Sequence, residues 1–144
     1  MKRPFKIRHE FVEFIPKERE EGVIYVSIPY ATAVHNCFCG CGTKVVTPIS
    51  PVAWQLTFDG EVVSLSPSVG NWAYACRSHY FIRRDTVVWA GSMSADEIAW
   101  GRARDRSARE SHFDGRVEES EPVTAPPLHR EKKKGFWSWF TRRH

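Results

Sequence analysis

The stretch from His35 to Pro48, HNCFCGCGTKVVTP, constrains this chain more than any other. It places Cys37, Cys39 and Cys41 within five residues, with Gly40 and Gly42 beside them and His35 just upstream. The fourth cysteine, Cys76, stands in CRSHY with His79 three residues on. A Cys-x-Cys step in a glycine-relaxed turn presents two sulfurs to one ion. The gap between Cys41 and Cys76 is no obstacle, because loop-closure entropy grows slowly with length. Six groups therefore compete for the four places of a tetrahedral site. In one ligand set all four cysteines bind. In the other, Cys76-x-x-His79 forms a knuckle completed by two of the early cysteines. Buried free thiols are the bland alternative, and packing alone seldom gathers cysteines in two tight groups beside histidines. Four thiolates would make a closed, structural zinc site with no position for a substrate water.

The 144 residues are enough for one domain with a tail. With 42% apolar and 26% charged residues, the composition is that of a folded, water-exposed domain. The first residues, MKRPFKIRHEFVEF, lack the apolar core of a secretory signal, and no run is long enough to span a membrane. Reducing cytoplasm is the expected location, where clustered cysteines favour metal over disulfides.

Periodicity points to a mainly β fold, a small zinc-stabilised sheet-and-hairpin domain with one C-terminal helix. Residues 5–15 and 23–30 read as strands, and 43–49 as a short strand stopped by Pro48. WQLTFDGEVVSLSP reads as a hairpin over 53–58 and 61–66, turning at Asp59-Gly60, a pair suited to a type I′ turn. FIRRDTVVWA reads as a further hairpin or bent strand. Ser94 with Glu97 is a capping box opening a helix over about 95–109, with Ile98, Trp100 and Ala103 as a short apolar stripe. The expected division is a zinc-binding β-rich domain over 1–109 and a flexible linker and tail over 110–144. The tail ends in REKKKGFWSWFTRRH, whose aromatics between basic clusters suit a membrane surface or a partner protein. Nucleic acid is not expected, since a net charge of +4 is modest and no binding motif is present.

A second constellation overlaps the first. Ser64, Ser66, Ser68 and Ser78 lie close in sequence to Asn71 and His79. Serine hydrolysis needs a nucleophile, a base within hydrogen-bond reach and donors for the oxyanion. Ser68 stands in PSVGN, a context that exposes a hydroxyl. Asn71 could donate to an oxyanion, and His79 or His35 could be the base. Serines beside Pro, Gly and Asn also simply make turns. The two constellations share His79, which cannot be both metal ligand and base.

Taken in order, YVSIPYATAVHNCFCGCGTKVVTPISPVAW, SLSPSVGNW and CRSHYFIRRDTVVWA resemble a bacterial family catalogued as domain of unknown function 6527, over about residues 5–106. That family is associated with bacterial ubiquitin-like conjugation gene sets. The resemblance implies a serine-type peptidase that processes or deconjugates a ubiquitin-like protein, with that protein and its conjugation enzymes as partners. It implies structural zinc on Cys37, Cys39, Cys41 and Cys76, and catalysis by Ser68 or Ser78 with His79 or His35. A triad needs an acid behind the histidine. Neither Asp59 nor Asp85 is an obvious partner, which leaves a dyad, or a triad completed by a backbone carbonyl or by Asn71. A non-catalytic zinc-binding adaptor that recruits the modifier or its conjugating enzyme is the alternative.

Overall fold

The computed structural model describes residues 2–118. Nine strands form two sheets, followed by one helix. β1 (Phe5–Lys6), β6 (Gln55–Phe58), β7 (Val63–Gly70), β8 (His79–Arg83) and β9 (Thr86–Trp89) form an antiparallel sheet in the order β1-β9-β8-β7-β6. The second sheet runs β2-β3-β4-β5, built from β2 (Arg8–Phe11), β3 (Val23–Ser27), β4 (Thr32–Asn36) and β5 (Lys44–Pro48). Here β2 lies parallel to β3 and the other pairs are antiparallel. Ile24, Val26, Ala33 and Val45 of this sheet share one core with Val63, Leu65, Val69, Tyr80, Ile82 and Val87 of the other. Strand alternation explains the sharing: β5 buries Val45 and Thr47 and exposes Lys44, Val46 and Pro48. The expected mainly β class with a C-terminal helix is what the structure has.

Several boundaries differ from the sequence reading, each for a physical reason. The strand expected over 5–15 is two strands in different sheets, and buried Ile7 is the crossing point between them. β4 was not expected at all; it pairs with β3 and β5 and carries His35. The 53–66 hairpin is present, but four residues separate the closing pair Phe58↔Val63. Its loop is held by Asp59 Oδ1, which accepts the N–H groups of Glu61 and Val62, and not by a two-residue turn. The tight turn lies instead between β8 and β9, where Arg84 and Asp85 both have positive φ (50° and 54°) beyond the pair Arg83↔Thr86. Asp85 anchors that turn: its Oδ1 accepts Val63 N–H at 2.9 Å and its Oδ2 lies 2.7 Å from His9 Nδ1.

The helix, α1 (Ala95–Glu118), is longer than the expected 95–109. The capping box forms: Glu97 accepts Ser94 N–H at 2.7 Å and Ser94 Oγ accepts Glu97 N–H at 3.2 Å. Ile98 is buried, whereas Trp100 and Phe113 are exposed, so no continuous apolar stripe holds the helix. The basic-aromatic tail, with its expected surface or partner contact, lies outside the described residues.

His35 is wholly buried, stacked on Phe38 with ring centroids 4.4 Å apart, and its Nε2 lies 2.8 Å from the Tyr80 hydroxyl. Burial pushes its pKa down from 6.5 to about 3. Between those values the unfolded chain takes up a proton that the folded chain refuses. The contribution of His35 to stability is therefore complete above pH 6.5 and shrinks as pH falls toward 3. Thermal melts across this range should show wild type losing stability on acidification more steeply than His35→Gln, which keeps a partner for Tyr80.

Candidate active site and metal centre

The loop joining β4 to β5 carries three of the cysteines. Gly40 and Gly42 sit at φ 88° and 76°, a conformation that L side chains resist, and Cys37 N–H bonds to Thr43 C=O across the loop base. Cys76 comes from the segment joining β7 to β8. The four sulfurs lie within 4.8 Å of one another. Cys37 Sγ is 3.3 Å from Cys39 Sγ and 3.9 Å from Cys76 Sγ. A tetrahedral ion with metal–sulfur bonds of about 2.3 Å holds its sulfurs roughly 3.8 Å apart, so the cluster has the size such an ion needs. The four cysteines could hold a metal ion.

The surroundings favour thiolate at Cys41 and Cys76. Hydrogen bonds from the Thr43 hydroxyl and N–H lower the Cys41 thiol to about 6. Burial raises Cys76, but the hydroxyl and N–H of Ser78 outweigh it and the net shift is downward. Cys39 goes the other way, pushed up to about 12 by burial and by its neighbour Cys37. Crowded thiols resist ionising together, and a dication among them removes that repulsion.

Ser78 and Asn71 belong to this cluster. Ser78 is buried, with its Oγ 3.0 Å from Cys37 Sγ and 3.5 Å from Cys76 Sγ. Asn71 Nδ2 donates to Ser78 Oγ at 2.9 Å and lies 3.5 Å from Cys37 Sγ. The same amide is 3.4 Å from the Tyr80 hydroxyl, which leads to His35. Thus Ser78, Asn71 and His35 form a polar network behind the cysteines. Among the described residues, Asn71 makes no hydrogen bond to the His79 ring, and His35 bonds to no serine.

Ser68 and His79 meet elsewhere, on the outer face of the first sheet. Leu65 pairs with Ile82 and Val69 with Tyr80, so β7 takes four steps where β8 takes two. The resulting bulge re-aims the residues between, and Ser68 is among them. Its Oγ lies 2.8 Å from His79 Nε2. His79 Nδ1 lies 2.9 Å from the carbonyl oxygen of Gly91. A carbonyl only accepts, so Nδ1 carries the proton, and in the neutral ring Nε2 is left to accept from the Ser68 hydroxyl. Both ring nitrogens are engaged away from the sulfurs, and the Cys76-x-x-His79 knuckle does not form. Asp59 and Asp85 are committed to their turns.

Gly70 stands directly opposite His79 in the sheet. A methyl group there would run into the Trp72 indole, which packs edge-on to the His79 ring at 4.9 Å. Beside His79 opens a cavity of about 450 Å³ lined by Lys2, Arg77, Trp89, Gly91 and Ser92, among others. The sequence offered no sign of the Gly91 carbonyl, because a backbone acceptor leaves no residue signature. Trp72 was legible only as one of six tryptophans.

No helix among the described residues is long and apolar enough to cross a membrane. No curated protein and no solved structure matches the chain. One family model does, over residues 11–90, more than half of the sequence and both site regions. Its description carries a different name from the family 6527 of the sequence resemblance; what the two share is the link to bacterial ubiquitin-like systems. The chain belongs to the family described as bacterial ubiquitination-like system serine protease (BubE).

Proposed function

We propose that the protein is a serine peptidase in which Ser68 is the nucleophile and His79 the general base, acting on a ubiquitin-like protein or its conjugates in the cytoplasm. The observation that carries this reading is the 2.8 Å contact from Ser68 Oγ to His79 Nε2, with Nδ1 held by the Gly91 carbonyl. In the reaction, His79 takes the Ser68 proton as Oγ attacks the substrate carbonyl carbon. The imidazolium then gives that proton to the departing amine, leaving an acyl-serine. Water activated by the same nitrogen hydrolyses the ester. Gly91 fixes the tautomer as an aspartate would, but a neutral carbonyl stabilises the imidazolium less than a carboxylate does.

Zinc is the metal this reading assigns to Cys37, Cys39, Cys41 and Cys76, because an all-thiolate tetrahedral set is typical of structural zinc. Bound there, it would supply cross-linking and no open coordination position. It would tie the β4–β5 loop to Cys76, three residues before His79. Ser78 would act on this centre through its contacts to two of the sulfurs.

The two serines separate the roles. Ser68→Ala and His79→Gln should each lower kcat for cleavage of the system's ubiquitin-like protein by about 10³ or more, with metal content and circular dichroism unchanged. Activity retained in Ser68→Ala would defeat the assignment. A wild-type protein that binds the modifier tightly and never cleaves it would favour an adaptor. Ser78→Ala should instead weaken zinc retention against a chelator by about 10-fold or more. Its cleavage rate should recover when zinc is in excess, read by metal analysis and by rate on the same samples.

A further inference from the structure

The strand that carries Ser68 has an open edge. In an antiparallel pair, successive residues turn their main-chain N–H and C=O groups alternately toward one neighbour and then the other. Asn71 N–H bonds to Ser78 C=O at 2.9 Å, and Val69 stands opposite Tyr80, two steps away in the same register. The main chains of Asn71 and Val69 therefore face β8. That of Gly70, between them, faces the other side, in the line of β6.

β6 does not reach them. Its first pair is Gln55↔Ser66, and the preceding chain turns away toward the second sheet. Trp54 N–H bonds to Pro48 C=O, Ala53 N–H to Ser50 C=O, and Trp54 bridges to Ile49. Among the described residues, no loop or side-chain hydrogen bond goes to the main chain of Ser68 or Gly70. Gly70 and Pro67 are exposed, and Ser68 is half-buried. A polar edge is thus left unpaired beside the hydroxyl that contacts His79.

We propose that the cleaved segment of the substrate adds to the sheet here as an extended strand, in the line that β6 leaves vacant. It would exchange main-chain hydrogen bonds with Gly70, two residues from the Ser68 hydroxyl. The inference rests on Ser68 being the nucleophile and adds the form of the substrate: an extended segment such as a tail or linker, not a folded surface loop. Main-chain pairing supplies affinity with little demand on side chains. Gly70 offers both of its groups to one substrate residue, and the neighbours of that residue on either side turn their N–H and C=O groups away.

That alternation is the test. The bond cleaved in the system's ubiquitin-like protein is mapped by mass spectrometry with the full-length enzyme. A short synthetic peptide spanning that bond is then N-methylated one residue at a time, omitting the scissile nitrogen. Methylation at the residue that pairs with Gly70 should lower kcat/KM by about fivefold to tenfold, with its two neighbours changed by less than about twofold. A flat scan, or equal losses at every position, would overturn strand addition. So would cleavage of the intact protein with no cleavage of the peptide. Ser68→Ala on the same substrates keeps the two ideas apart: residual cleavage by it defeats the nucleophile assignment, whereas an inactive Ser68→Ala with a flat wild-type scan defeats only the strand.

Discussion

The ring of His79 has two nitrogens, and the chemistry available to this fold depends on what each one meets. Nδ1 meets the Gly91 carbonyl, which can only accept, and so the lone pair of the neutral ring is on Nε2, facing Ser68. Had either nitrogen turned to the sulfurs, the histidine would have been a fourth or fifth ligand and no base would remain. The fold enforces the choice through its sheet. His79 begins β8 beside β7 and β9, so its ring stands between a serine aimed by the β7 bulge and a carbonyl just past the end of β9.

The cysteine cluster and the serine–histidine pair are neighbours joined by one short segment. Cys76 offers a sulfur to the cluster, Ser78 bonds to two sulfurs, and His79 faces out to Ser68. Alternation along an extended chain sends Ser78 inward and His79 outward. The segment before β8 is held by turn hydrogen bonds, Tyr74 N–H to Asn71 C=O and Arg77 N–H to Tyr74 C=O, and by the Tyr74 hydroxyl on Lys44 C=O at 3.1 Å, while Arg77 itself is exposed at φ 44°. A metal cross-link to the β4–β5 loop would add to the rigidity that a base held to within tenths of an ångström requires. Behind it, Asn71, Tyr80 and His35 extend the polar network into the core. The desolvated Tyr80 hydroxyl is held well above its ordinary pKa and remains a donor.

Much of this was legible in the sequence because it is local. β3, the 53–66 hairpin and the capping box follow from residue type and spacing, and the grouping of four cysteines follows from their two tight clusters. What was not legible is non-local or carried by backbone. β7 runs on to Gly70 through Pro67, whose turn signals argue for a loop; the pairing with β8 overrides them, and that extension is what holds Ser68. β4 is recognisable only from the strands on either side. The helix continues past residue 109 without an apolar face to announce it. Ser68 and Ser78 looked equivalent in sequence, and their separation into an outward and an inward site depends on a bulge and on strand alternation.

A fluorophosphonate reacts with a serine hydroxyl only when a neighbouring base activates it, so it reads the central pair without needing the natural substrate. The full-length protein, incubated with such a reagent and digested for mass spectrometry, should carry a single phosphonyl adduct, on Ser68. His79→Gln should carry none while keeping its fold. An adduct on Ser78, or labelling of Ser68 that persists in His79→Gln, would contradict the account.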